Sequence, residues 1–191
     1  MDLCPILPIY IGTAHYSEPI QELEYIRSLD AVYNVENKVS VDKRVLNYNY
    51  SFKSFIEQNL QEYFIQAMGS EQSVNPIITQ SWFTYTDQMQ SMHNHKHPNS
   101  IISGVFYIDA HDDELTFSED TQTYKMLDWG YQTKQHSIKV NTGDLLLFPS
   151  SLEHHFKPIE NNGRISLAFN SFLQGYFGSE NGATKLGIKI F

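Results

Sequence analysis

Cysteine is almost missing from this chain. Among 191 residues there is one, Cys4, so no internal disulfide framework can form, and a reducing, cytoplasmic setting is the expectation. Basic residues are scarce as well: 13 Lys and Arg stand against 22 Asp and Glu, a formal charge of -9, with no basic stripe. Clustered positive charge is what neutralises phosphates, so the balance argues against a nucleic-acid partner. No apolar run approaches the roughly 18 residues a membrane-spanning helix takes. The N-terminal MDLCPILPIYIG lacks the basic leader and long apolar stretch of a secretion signal, and no membrane association is expected. A Gly-rich phosphate loop and a Gly-x-Ser-x-Gly elbow are both absent, which removes the usual signatures of nucleotide-driven and serine-nucleophile chemistry.

What is present is aromatic and β-prone. With 12 Tyr, 12 Phe and 41% hydrophobic residues, the chain has material for one sizeable core, and residues 1–191 read as a single domain. Ile6 to Ile11 reads as an early strand, broken by prolines and therefore at a sheet edge. Ser17 as cap and Pro19 in the first turn open an amphipathic helix, with Ile20, Leu23, Ile26 and Leu29 on one face, to about Asp30. Asn34 to Asn49 looks like a loop with one short strand. A second helix carries Phe52, Phe55, Ile56, Leu60, Tyr63, Phe64 and Ala67, and Gly69 stops it.

From Asn75 onward the pattern changes to short strands. Ile77–Thr86, Ile101–Ile108, Glu114–Phe117, Ser137–Val140, Asp144–Phe148 and Arg164–Phe169 are candidates, with Leu186–Phe191 last. Asn141-Thr142-Gly143 and Asn161-Asn162-Gly163 mark turns, and the acid-rich Asp109 to Glu114 reads as a solvated hairpin tip. Helices first and strands after give a mainly β fold with flanking helices. The expected form is a jelly roll or distorted barrel with the N-terminal helices packed on one sheet.

The chemistry gathers in SMHNHKHPNS, which sets His93, His95 and His97 at every second position, on one face of an extended strand. A later histidine, His154, lies in TGDLLLFPSSLEHH, and Arg164-Ile-Ser166 opens the last core strand. An HxH pair with a distant histidine supplies three neutral nitrogen ligands. Open positions then remain on an octahedral metal, as oxygen chemistry requires. An arginine nearby can hold a carboxylate by two parallel hydrogen bonds.

The segments SWFTYTDQMQSMHNHKHPNSIISGVFYI, TGDLLLFPSSLEHHFKP and RISLAFN resemble the 2-oxoglutarate and Fe(II)-dependent oxygenase superfamily, in a branch found in bacteria and phages. The resemblance implies a double-stranded β-helix with iron at its mouth. It makes His95, His97 and His154 the iron ligands, and Arg164 with Ser166 the grip on the far carboxylate of 2-oxoglutarate. Ser103 and Tyr107 are further candidate donors to the keto acid. The implied reaction consumes O2 and 2-oxoglutarate, hydroxylates a substrate and releases succinate and CO2. Nothing in the residues names the primary substrate, and an exposed jelly-roll edge leaves room for a homodimer.

One departure stands out. The resemblance calls for Asp or Glu where this chain has His97, while a literal HxD occurs at His111-Asp112-Asp113 and offers a rival ligand pair. His93 reads as a support rather than a ligand, and His155 faces away from His154 on a strand. Arg164 has an alternative fate in a pair with a surface carboxylate such as Glu160. Trp82 and Phe83 read as core, and Tyr85 is a candidate for the pocket wall. The loops Ala31–Asn49 and Ser118–Lys134, with Tyr124, Trp129 and Tyr131, are where substrate contacts are expected. Two other functions stay open on the residues alone. One is a cupin-type metalloprotein, disfavoured because no Glu follows the HxH closely; the other is a non-catalytic jelly-roll binding module.

Overall fold

The computed structural model describes residues 9–69, 73–118, 135–160, 163–179 and 181–190. The expected segment 6–8, Tyr124, Trp129 and Tyr131, Asn161, Asn162 and Phe191 lie outside the described residues. In chain order the elements are β1 (Gly12–His15), α1 (Leu23–Arg27), β2 (Ala31–Asn34), β3 (Asn37–Ser40), α2 (Lys53–Tyr63), β4 (Val74–Thr86) and β5 (Met92–His95). They continue with β6 (Ile102–Asp109), β7 (Asp113–Ser118), β8 (Gln135–Val140), β9 (Asp144–Pro149), β10 (Glu153–Phe156), β11 (Arg164–Phe177) and β12 (Leu186–Ile188). Two antiparallel sheets result. The larger runs β1-β9-β6-β11-β4-β3-β2, with β12 added to β11, and the smaller runs β5-β10-β7-β8. This is the jelly-roll, double-stranded β-helix arrangement expected, flanked by helices. No helix among the described residues is long and apolar enough to cross a membrane.

The larger sheet is covered on both faces, which is why β6 is buried without a break from Ile102 to Ile108. On one face Ile102, Phe106 and Ile108 share a core with Leu145 and Leu147 of β9 and with Ile26, Ile56 and Leu60 of the two helices. On the other, Val105 and Tyr107 pack with Leu146, Phe148, and Leu115, Phe117 and Val140 of the smaller sheet. The same period of two sorts β11. Ile165, Leu167 and Phe169 join the helix-side core. Arg164, Ser166, Ala168 and Asn170 therefore point between the sheets, although they are polar or small. Gly104 serves this packing by its missing side chain: a Cβ there would stand 2.2 Å from Cζ of Phe169.

Three local expectations change. The first helix shrinks to the five residues of α1, without a side-chain cap. The Glu22 carboxylate instead accepts hydrogen bonds from the Ser51 N–H and hydroxyl, both 2.8 Å, so the preceding turn is tied to the start of α2. Residues Ala31 to Ser40 form a β2–β3 hairpin rather than a loop. Every residue of β2 is exposed, so no alternation betrayed it, and its turn holds Val35 at φ 55°, a conformation β-branched residues disfavour. The acid-rich Asp109 to Glu114 is no hairpin tip, because β6 and β7 belong to different sheets. It is a crossing, and its acids are used: Asp109 accepts from Arg27 at 2.6 Å and Asp113 from Arg164 at 2.5 Å.

Candidate metal centre

β10 pairs with β5 in a register that sets His154 directly opposite His95. His97 lies two residues beyond β5, where its backbone N–H donates to the Ser150 carbonyl at 3.0 Å. That turn brings the third imidazole to the other two: ring centroids stand 4.4 Å apart for His95 and His154, 5.0 Å for His97 and His154, and 5.1 Å for His95 and His97. One nitrogen of each lies within 4.8 Å of the others.

The opposite nitrogens explain why those three face inward. His95 Nδ1 donates to the His93 carbonyl at 2.9 Å, and His154 Nδ1 to the Leu152 carbonyl at 3.0 Å. His97 Nδ1 donates to Asn170 Oδ1 at 2.5 Å. Asn170 is itself oriented, because its amide nitrogen donates to Gln80 Oε1 at 3.2 Å and its oxygen also accepts from Ser103 at 3.0 Å. With the proton held on Nδ1, each Nε2 presents a lone pair. His95 and His97 Nε2 atoms are 3.2 Å apart. Two donors at right angles on metal bonds of about 2.1 Å would stand about 3 Å apart, so the donor set fits a small transition-metal ion.

Burial keeps these ligands neutral. It pushes the His154 imidazole down to about 3, with repulsion from His95 adding to the effect, and it lowers His95 and His97 as well. An unfolded histidine titrates near 6.5. Metal-free protein is therefore expected to hold its full stability above that value and to lose it as pH falls toward 3, by about 1.4 kcal/mol per pH unit from His154 alone. Urea unfolding at about pH 7 and about pH 5 measures this, and equal stabilities would contradict it.

A cavity of about 40 Å³ joins the triad to the rest of the expected site; Tyr107, Arg164 and Ser166 line it together with the three histidines. Burial raises the Tyr107 hydroxyl above its ordinary range, so it stays a donor. Arg164 is 3% exposed, lies 3.6 Å over the Phe156 ring, and pairs through Nη1 with Asp113 Oδ2 at 2.5 Å. Ser103 does not line the cavity. It sits behind His97, 3.1 Å from Nδ1 and 2.8 Å from Ser150 Oγ.

The rival pair does not come together. His111 is exposed, 3.3 Å from Asp109, while Asp113 is engaged by Arg164. Among the described residues the triad is the one group of three such side chains that could hold a metal. The carboxylate that partners Arg164 is thus Asp113 rather than Glu160. His93 stays outside, 3.8 Å from Glu36. Trp82 lines the cavity, whereas Tyr85, one strand face away, donates to the Ile26 carbonyl at 2.7 Å. Asn170 escaped the sequence reading, although counting by twos from Arg164 along RISLAFN lands on it. Asn170→Ala is expected to weaken metal binding about 10- to 100-fold by freeing His97, with the fold retained. Anaerobic metal titration checks this; an unchanged affinity would deny Asn170 that task.

Residues 80–170, just under half of the chain and including all three histidines and Arg164, match the family model described as "Putative 2OG-Fe(II) oxygenase". Over that stretch the chain is similar to the 2OG-Fe(II) oxygenase superfamily. No curated protein matches it in sequence. Among solved structures it is similar to a 2OG-Fe(II) oxygenase family oxidoreductase from Burkholderia pseudomallei, at 13% identity over 84% of each chain with a TM-score of 0.56. HygX from Streptomyces hygroscopicus, with nickel and 2-oxoglutarate bound, is 12% identical over 85% of this chain and 82% of that one, TM-score 0.60. A Pseudomonas putida prolyl-4-hydroxylase is 13% identical over 85% of this chain and 92% of that one, TM-score 0.53. At such identities the likeness is one of fold. The oxygenase family and the histidine triad together make this an enzyme with a 2OG/Fe(II)-type catalytic architecture.

Proposed function

We propose that this oxygenase uses Fe(II), 2-oxoglutarate and O2 to hydroxylate a substrate C–H bond, with release of succinate and CO2. The observation that carries the reading is one cavity lined both by the three convergent histidines and by a buried guanidinium. His95, His97 and His154 would hold the iron and leave half of an octahedral shell open. Bound iron and keto acid supply the oxidising power; the chain's residues position and shield them. Arg164 grips the far carboxylate, with Ser166 and Tyr107 as further donors. Ser103 belongs behind His97, steadying the ligand rather than touching the keto acid. Phe117 and Phe148, with ring centroids 6.2 and 4.7 Å from that of His154, keep water from its face.

His97 brings no negative charge, so the metal has no anionic protein ligand. Because burial already keeps the imidazoles neutral, this site is expected to hold metal to a lower pH than exposed histidines would. The lone cysteine supports a reducing, cytoplasmic setting. The test is turnover: with Fe(II), O2 and 2-oxoglutarate, succinate should form slowly even without a primary substrate, and stop when any of the three is omitted. No succinate from protein that has both metal and keto acid bound would overturn the activity.

A further inference from the structure

Two neighbouring side-chain oxygens at the start of β3 are buried with nothing to bond. Asn37 is 1% exposed and its Oδ1 meets no hydrogen-bond partner. Glu36 keeps part of its side chain in solvent, but its Oε2 is buried and meets none either. His93 Nδ1 approaches that oxygen only to 3.8 Å, beyond hydrogen-bond reach. Unpaired buried acceptors are costly, and proteins retain few of them.

Their place in the fold is the mouth between the two sheets. Val39 of β3 opposes Thr84 of β4, which lines the metal cavity, and Asn37 lies two residues before Val39 on the same face. β3 and β2 end one side of the larger sheet, and β5 is an edge of the smaller one. The approach of Glu36 to His93 spans those edges, and the His93 ring stands 5.4 Å from that of His95. One imidazole thus separates the carboxylate from the triad. Val32 of β2, half-exposed, opposes Val39 and continues an apolar strip along the same face.

A carboxylate oxygen and an amide oxygen can only accept hydrogen bonds. Their complement must donate at least two hydrogens, and the negative charge asks for a cation. An alkylammonium group carries three N–H donors on one nitrogen, with an apolar chain behind it that suits the valine strip. A metal ion is a poorer match, because among the described residues the histidine triad is the one group of three side chains that could hold one. Arg164, two strands away on β11, is neutralised by Asp113, and the chain's formal charge of -9 draws cations toward it. We infer that Glu36 Oε2 and Asn37 Oδ1 bind the ammonium group of the primary substrate, which is an aliphatic amine. This rests on the oxygenase reading above and deepens it by naming the class of substrate.

Calorimetric titration of the full chain with butylammonium chloride tests it, under nitrogen, once with Fe(II) and 2-oxoglutarate bound and once without. Saturable binding is expected in both states, because the site is made by the chain's own residues. Butan-1-ol, nearly the same shape without the charge, should give none. Glu36→Gln keeps the shape and should fold as the parent does, since Oε2 holds no hydrogen bond. Its Kd for butylammonium should rise about tenfold, the value of one hydrogen bond to a charged group, while its affinities for Fe(II) and 2-oxoglutarate stay as they were. Glu36→Asp, which keeps the charge but draws it back by one methylene, should fall between the two. Unchanged butylammonium binding by Glu36→Gln would overturn the inference. Equal binding of butan-1-ol would reduce the site to an apolar pocket, and displacement of butylammonium by calcium chloride would make it a metal-ion site; either result overturns the inference too. A parent that binds 2-oxoglutarate but no butylammonium would remove this inference alone. A parent that binds butylammonium but no 2-oxoglutarate would remove the oxygenase reading, and the substrate role with it.

Discussion

Arg164→Lys is expected to fold and yet to lose most of its hold on 2-oxoglutarate, with Kd rising about 10- to 100-fold. Lysine keeps the charge that Asp113 needs, and its aliphatic stem can lie against Phe156. It offers a point charge in place of the planar fork, so the two-point grip is gone. Arg164→Ala should do something different. Removing Arg164 strands Asp113, whose side chain is 12% exposed, so the cost should stay below the roughly 3–5 kcal/mol of a fully buried unpaired charge. The comparison is informative because the two variants separate recognition from stability. Calorimetric or spectroscopic titration with 2-oxoglutarate, run beside thermal unfolding, reads both quantities. A lysine variant that binds the keto acid as tightly as the parent would dismiss the arginine from co-substrate recognition.

His154→Ala carries the second large effect. His154 is 1% exposed, lies opposite His95 in the β-ladder, and points its Nε2 into the triad. Even residues that merely orient a ligand cost about 10- to 100-fold in metal affinity when removed, so deleting the ligand itself should cost more than about 100-fold. The same change should make the metal-free protein less sensitive to acid. His154 is the histidine that burial depresses furthest, and without it the unfolded state gains one proton fewer as pH falls. Metal titration and urea unfolding at two pH values check the pair of effects. Metal binding that survives the substitution would place the metal elsewhere.

How much of this was legible beforehand depended on where each residue points. The HxH pair, His154 and Arg164 could be picked out because their spacing on strands is periodic and their chemistry is narrow. The β-strands of the larger sheet announced themselves by apolar content, since β6 and β9 are buried on both faces. The β2–β3 hairpin did not, because β2 buries nothing and its turn lacks glycine and asparagine at the bend. The first helix was overestimated for a related reason: a spacing of three in apolar residues marks a face, but Glu22 is drawn into bonds with Ser51 and the preceding residues stay a turn.

Within the site, the HxD pattern makes Asp113 a minor rival ligand in sequence, whereas in the fold it pairs with Arg164. Only the crossing of β6 to β7 between sheets brings it to Arg164, 51 positions away in the chain. Ser103, a candidate donor to the keto acid by sequence, stands beside His97 Nδ1 in the fold. Asn170 carries no such signal, although it lies on the same strand parity as Arg164 and Ser166. Parity alone does not say which small polar residues matter; the missing or saturated hydrogen bonds do.

The most direct measurement is anaerobic absorbance titration of the protein with Fe(II) and then 2-oxoglutarate. A visible charge-transfer band is expected only when both are present; it should be lost in His154→Ala and need far more keto acid in Arg164→Lys. A protein that binds Fe(II) at the triad and shows no such band at saturating 2-oxoglutarate would contradict keto-acid chelation at this site.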